Sequence, residues 1–168
     1  MNRNRPVCDD DEPSMKYDNF VPAEEAVKSI RSGQRVFIHG SAATPVSLVK
    51  ALQQRHRELE NVELVSITTL GDIDFNDPVY SGSFFFNSLF VSANTRDVVN
   101  KGYGDYVPVF LSQIPKLFRE RILKIDVALI QVSLPDDHGY CSMGTSVDIA
   151  SSAIDTADHI IALVNPRV

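Results

Sequence analysis

The chain has 168 residues, of which 43% are hydrophobic and 23% charged, a balance that suits one globular lobe with a sizeable core. Its formal net charge of −6 argues against a nucleic-acid partner, which needs a basic surface facing the phosphates, and against an anionic membrane surface. The two cysteines, Cys8 and Cys141, form neither a disulfide framework nor a zinc spacing, so a reducing, cytoplasmic setting is expected.

Residues 1–20 place Arg3 and Arg5 ahead of an acidic run at Asp9, Asp10, Asp11 and Glu12, and read as a mobile acidic tail. No apolar run in the chain is long enough to span a bilayer. A first helix is predicted over 23–32, opened by Pro22 and stopped by Gly33. Residues 35–39, rich in β-branched and aromatic side chains, read as a short strand. A tight turn over 40–44 follows, then a helix from Pro45 to about residue 59 with Thr44 as N-cap. Further strands are predicted over 62–70, 84–91, 106–110, 125–132 and 159–164. Between them lie helices over 95–100, 112–121 and 146–156, and a loop over 133–144. Strands alternating with helix-length crossovers imply βαβ units, hence an α/β lobe with a largely parallel sheet and helices on both faces.

Three strand-to-helix junctions stand out. In Val36-Phe-Ile-His-Gly-Ser-Ala-Ala-Thr-Pro45, the small residues Gly40, Ser41, Ala42 and Ala43, followed by Thr44, would let a carboxylate, thioester oxygen or phosphate approach a helix N-terminus. The same segment also reads as a plain tight turn. In Asp105-Tyr-Val-Pro-Val-Phe-Leu-Ser-Gln-Ile-Pro115, Gln113 could donate to a substrate carbonyl, or it could simply face water behind a Ser112 cap. In Ser133-Leu-Pro-Asp-Asp-His-Gly-Tyr-Cys-Ser-Met-Gly-Thr-Ser146, Ser142 and Thr145 offer hydroxyls, and Gly139 and Gly144 shape the loop. Asp136, Asp137 and His138 are too close in sequence to converge on one ion, so no metal site is expected, and Asp136 or Asp137 reads as a turn residue. His39 and His159, inside strands, read as structural histidines.

Taken in order, His39-Gly-Ser-Ala-Ala-Thr-Pro45, Tyr106-Val-Pro-Val-Phe-Leu-Ser-Gln-Ile-Pro115 and Ser133-Leu-Pro-Asp-Asp-His-Gly-Tyr-Cys-Ser-Met-Gly144 resemble the N-terminal domain of the acetyl-CoA hydrolase/transferase family. Within the family, the 4-hydroxybutyrate CoA-transferase type looks most similar. The resemblance implies a class I CoA-transferase-like domain over 21–168, in which CoA is a substrate and no metal is needed. It implies that CoA passes between an acyl-CoA and a carboxylic acid, of acetate or 4-hydroxybutyrate type, through a glutamyl-CoA intermediate. The attacking glutamate would sit in a C-terminal domain expected to be absent here, so the chain alone is expected to be inactive. No glutamate of the chain, including Glu58, Glu60, Glu63 and Glu120, matches that nucleophile, and no catalytic residue is assigned. What the resemblance implies for this half is one wall of an acyl pocket, built from Gly40, Ser41, Ala42, Thr44, Gln113, Ser142 and Gly144. Expected partners are an acyl-CoA, a small carboxylate, the C-terminal domain of the same enzyme and a second copy in a homodimer. Net acetyl-CoA hydrolysis and a non-catalytic anion-binding or interaction domain remain as alternatives.

Overall fold

The computed structural model describes residues 20–168, so the tail expected over 1–20 lies almost wholly outside the described residues. Six strands form one parallel sheet: β1 Arg35–Ile38, β2 Val62–Ser66, β3 Phe84–Ser88, β4 Gly104–Tyr106, β5 Val127–Val132 and β6 His159–Val164. The helices are α1 Ala23–Ala26, α2 Val46–Gln54, α3 Ala93–Asn100, α4 Ile114–Arg119 and α5 Ala150–Thr156. Strand order is β4-β3-β2-β1-β5-β6.

Burial explains the strand pattern. Both faces of the central strands are covered, so β5 and most of β1 read as continuous apolar runs rather than alternations. Val36, Ile38, Leu64, Phe86 and Leu129 face one core, shared with Val49 and Leu52 of α2 and Val98 of α3. Phe37, Val65, Ala128 and Ile130 face the other, shared with Ile114 and Phe118 of α4 and Ala153 of α5. Phe37 and Phe118 meet edge to face with ring centres 5.9 Å apart. Full burial of a side chain such as Phe37 is worth about 1.5–3 kcal/mol.

Several boundaries differ from the sequence reading, each for a local reason. The first helix turns 3-10 at Val27–Ser29 and gives way to extended backbone at Ile30. Thr44 does not cap α2. Its hydroxyl donates to Ser41 O (2.8 Å) and accepts from the Leu70 N–H (3.1 Å), which ties the turn to the β2 tip instead. The helix α3 starts earlier than predicted because Ser92 and Thr95 form a capping box. The strand expected over 106–110 lies instead at Gly104–Tyr106 and stops before Pro108. A Cβ on Gly104 would come within 2.5 Å of Phe86 O, so close strand approach requires glycine there. Ser112 falls in a 3-10 turn, Leu111–Gln113, and caps nothing.

Connectivity sets the site. From β1 the chain winds outward through β2, β3 and β4, with α2 and α3 on one face. It then crosses by α4 on the opposite face to β5, on the far side of β1, and continues through α5 to β6. The winding therefore reverses between β1 and β5. In open parallel sheets, that reversal leaves a crevice beyond the carboxyl ends of the two strands.

Candidate functional site

The turn after β1 and the loop after β5 meet at this switch point. A cavity of about 300 Å³ is lined by Ala42 and Ala43 from the turn, and by Met143, Gly144 and Thr145 from the loop. Gln131 of β5 and Asn165, Arg167 and Val168, beyond β6, complete it. A larger hollow of about 590 Å³ runs along the outer side of β6 against α1, but its lining is mainly aliphatic and it lies off the switch point. The smaller cavity is the better candidate because backbone, amide and guanidinium groups converge there.

The turn is built tightly. Ser41 adopts φ 53°, a left-handed conformation that is costly for a residue with a side chain. It is held there from two sides. Its N–H donates to Thr68 O (3.0 Å), and its hydroxyl shares a hydrogen with Thr68 Oγ1 (2.9 Å). The N–H groups of Ala43 and Thr44 donate to Gly40 O and Ser41 O. Gly40 is buried, and the space of its missing Cβ is occupied: Ile67 Cγ1 would lie 2.9 Å away and Thr68 O 3.2 Å. Glycine at 40 therefore serves the approach of the β1 and β2 tips. Of the turn, Ala42 is the exposed residue.

The loop after β5 is closed on itself. Ser133 N–H donates to Ser142 O and Ser142 N–H to Ser133 Oγ, both at 2.8 Å. Asp136 Oδ1 accepts from the His138 and Tyr140 N–H groups, the turn role expected of it. Ser142 Oγ accepts from the Gly144 N–H (3.1 Å), and Gly144 sits at φ +69° beside Val168.

Of the residues singled out from sequence, Ala42, Ala43, Gly144 and Thr145 line the cavity directly, and the Ser142 hydroxyl accepts from the Gly144 N–H. Ser41 and Thr44 hold the turn in shape. Gln113 shares the rim, because it follows β4, but it is exposed and outside the cavity lining. Sequence reasoning missed Thr68, Gln131, Asn165 and Arg167. Thr68 had a readable signal: Ser66-Ile-Thr-Thr69 puts hydroxyls just past an apolar strand, where this fold binds ligands.

Shifted ionisations lie elsewhere. Burial pushes the Asp126 carboxyl up, but the Arg35 N–H and the Lys124 ammonium outweigh it and hold Asp126 below its ordinary value of 3.8. Hydrogen bonds to Asp126 and Asp158 raise Lys124. The Lys50 ammonium lowers Asp72. Glu63 pairs with Arg35 at 2.8 Å and accepts from Asn87 Nδ2. Among the described residues, no group of three His, Cys, Asp or Glu side chains is placed to hold a metal ion. No helix among them is long and apolar enough to cross a membrane.

The parallel six-stranded fold is that of a CoA-transferase-like α/β domain. Its fold superimposes on RipA from Yersinia pestis with a TM-score of 0.75 at 29% identity, over 87% of this chain and 36% of that one. The sequence model of the acetyl-CoA hydrolase/transferase N-terminal domain matches residues 5–168, and the chain belongs to that family. It is 44% identical over 147 residues to a succinyl-CoA:acetate/propanoyl-CoA:succinate CoA transferase of Fasciola hepatica, covering 86% of this chain and 30% of that protein. It is 40% identical over 151 residues to a 4-hydroxybutyrate coenzyme A transferase of Clostridium kluyveri, covering 90% and 35%. The chain thus spans about a third of the length of the curated relatives it matches.

Proposed function

We propose that this chain forms the N-terminal wall of a CoA-transferase active site, in which CoA moves from an acyl-CoA to a small carboxylic acid of acetate or 4-hydroxybutyrate type. The observation that carries the reading is the switch-point cavity, where the turn after β1 faces the Met143–Thr145 stretch. The names of the relatives, all with CoA as the transferred group, supply the substrate class.

In this reading a glutamate from a C-terminal domain attacks the thioester carbonyl. The acyl–sulfur bond breaks, CoA leaves as thiolate, and an enzyme-bound mixed anhydride forms. The thiolate then attacks the glutamyl carbonyl of the anhydride, releasing the donor's carboxylate and leaving glutamyl-CoA. An acceptor carboxylate takes the CoA by the reverse sequence. This half contributes shape, neutral hydrogen-bonding groups and the Arg167 guanidinium. Of its glutamates, Glu63 is partly buried and paired with Arg35, while Glu58 and Glu120 pair with Arg55 and Lys116 at the surface.

The rim also supports a covering lobe. Phe90 follows β3 at 61% exposure, Phe110 follows β4 at 76% and Tyr140 follows β5 at 76%, all beyond the same strand ends. Large exposed aromatics on one rim suit a packing face. A second copy of the chain is the other occupant of such a face, and light scattering separates a dimer from a monomer.

The test is a comparison of this chain with the full-length protein, each given acetyl-CoA or succinyl-CoA and a carboxylate acceptor. The full-length protein is expected to form the new acyl-CoA, and borohydride during turnover is expected to inactivate it by reducing the glutamyl thioester. The chain alone is expected to be silent. Acceptor-independent release of CoA would make the protein a hydrolase, and binding of anions without turnover would make it a binding domain.

A further inference from the structure

His39 is the last residue before the Gly40 turn and is fully buried. Its backbone N–H donates to Leu129 O at 2.9 Å, which continues the β1–β5 pairing past the end of the ladder. Both ring nitrogens are engaged. Nδ1 lies 3.2 Å from the Gln131 backbone nitrogen, and Nε2 lies 2.7 Å from Ser146 O. A backbone N–H can only donate and a carbonyl oxygen can only accept. The ring must therefore accept at Nδ1 and donate from Nε2, which is one neutral tautomer.

Each partner belongs to the cavity or adjoins it. Gln131 lines it from β5, and Ser146 is the neighbour of Thr145, which lines it from the loop. Within residues 143–148, the hydrogen bonds other than that of His39 stay close in sequence: Gly144 N–H to Ser142, Ile149 N–H to Asp148 and Ser151 N–H to Val147. Among the described residues, the bond from His39 is the one hydrogen bond that ties this stretch to the β1 side of the switch point.

We propose that His39 is a positioning residue: its neutral ring, protonated on Nε2, pins the Met143–Ser146 arm of the loop against the β1 turn and so sets the width of the switch-point cavity. A ring in this place fixes a distance that neither element sets alone, because the turn is braced on β2 and the loop is closed on itself. The proposal rests on the reading of the cavity as an acyl pocket only for its kinetic consequence. The tautomer and the loop anchoring are properties of the fold.

Two substitutions separate the two bonds. His39→Asn keeps an acceptor near the Nδ1 position for the Gln131 N–H and loses the reach to Ser146. His39→Gln keeps a donor near the Nε2 position. Long-range proton–nitrogen spectra of the imidazole-labelled chain are expected to show His39 as the Nε2–H tautomer, with the signal assigned by its loss in either variant. Amide exchange at 143–148 is expected to speed up about tenfold in His39→Asn, the worth of one buried hydrogen bond, and to stay within about threefold of wild type in His39→Gln. In the full-length protein, His39→Asn is expected to raise the KM for the acyl donor about tenfold while kcat stays within about threefold. An Nδ1–H tautomer would overturn the proposal, and so would equal loop exchange in the two variants. A wild-type protein without transfer activity would sink the functional reading and leave the spectroscopic and exchange results standing.

Discussion

The two ends of the sheet are built on opposite principles. At the amino ends of the strands, charge is concentrated: Lys124 Nζ lies 2.7 Å from Asp126 Oδ1 and 2.6 Å from Asp158, the Arg35 N–H donates to Asp126, and Arg35 pairs with Glu63. At the carboxyl ends, around the cavity, the interactions are neutral hydroxyl, amide and imidazole bonds, with Arg167 the one charged residue in the lining. Strongly perturbed ionisations usually draw the eye to a functional site. Here the shifts resolved in Asp126 and Lys124 mark a structural clamp, that of Asp72 follows its pairing with Lys50, and none of the three falls in the cavity lining. The proposed function, in which a second lobe supplies the attacking carboxylate, asks for no titrating group in this cavity.

The contrast can be broken at either end. The largest effect is expected at the turn. Gly40→Val would push side-chain atoms into Ile67 and Thr68 O and part the β1 and β2 tips, at a cost of about 3 kcal/mol in chemical unfolding. A midpoint unchanged from wild type would show that the tips are not in contact.

Next comes the clamp. Asp126→Ala is expected to cost about 2 kcal/mol near pH 7, since it removes charge-assisted bonds from Lys124 and the Arg35 N–H. The folded-state pKa of Asp126 is depressed, so its contribution is present above the unfolded value and is lost as pH falls through the folded one. The gap between wild type and variant should therefore hold at neutral pH and shrink below about pH 3.8, as read from denaturation midpoints. The same variant, assayed at neutral pH in the full-length protein, should leave the KM for acyl-CoA where it was. A changed KM would mean that the two ends are coupled.

The smallest effect is expected at Gln113. Its side chain is exposed at the start of α4, so Gln113→Ala should leave stability within about 0.5 kcal/mol. If it reaches the acyl pocket once a second lobe covers the rim, the substitution shifts the KM for donor or acceptor. Unchanged constants for both substrates would remove Gln113 from the pocket and leave the Gly40 and Ser142 segments as its wall.

Much of the architecture was legible in particular stretches. The β6 span of 159–164 agrees with its apolar run, and β5 differs from its prediction only in starting at Val127. The three junctions were visible because small residues, glycines and prolines follow apolar strands. Less legible were contacts decided at long range. Thr44 reads as an N-cap from its neighbours, yet its hydroxyl is claimed by Ser41 and Leu70. Gly40 reads as room for a ligand, yet the room is taken by Ile67. Local sequence indicates that a group is available, whereas packing decides which neighbour uses it.

Sequence by itself determined the alternation of strands and helices, the parallel α/β class and the family, because each rests on patterns a few residues long repeated in order. Tertiary structure decided that β1 lies between β2 and β5, and so which of the three junctions share a cavity. It also decided the proton position on His39, through a carbonyl 107 residues away in the chain. Hydrogen-bond geometry across a sheet depends on which strands become neighbours. No local pattern carries that information.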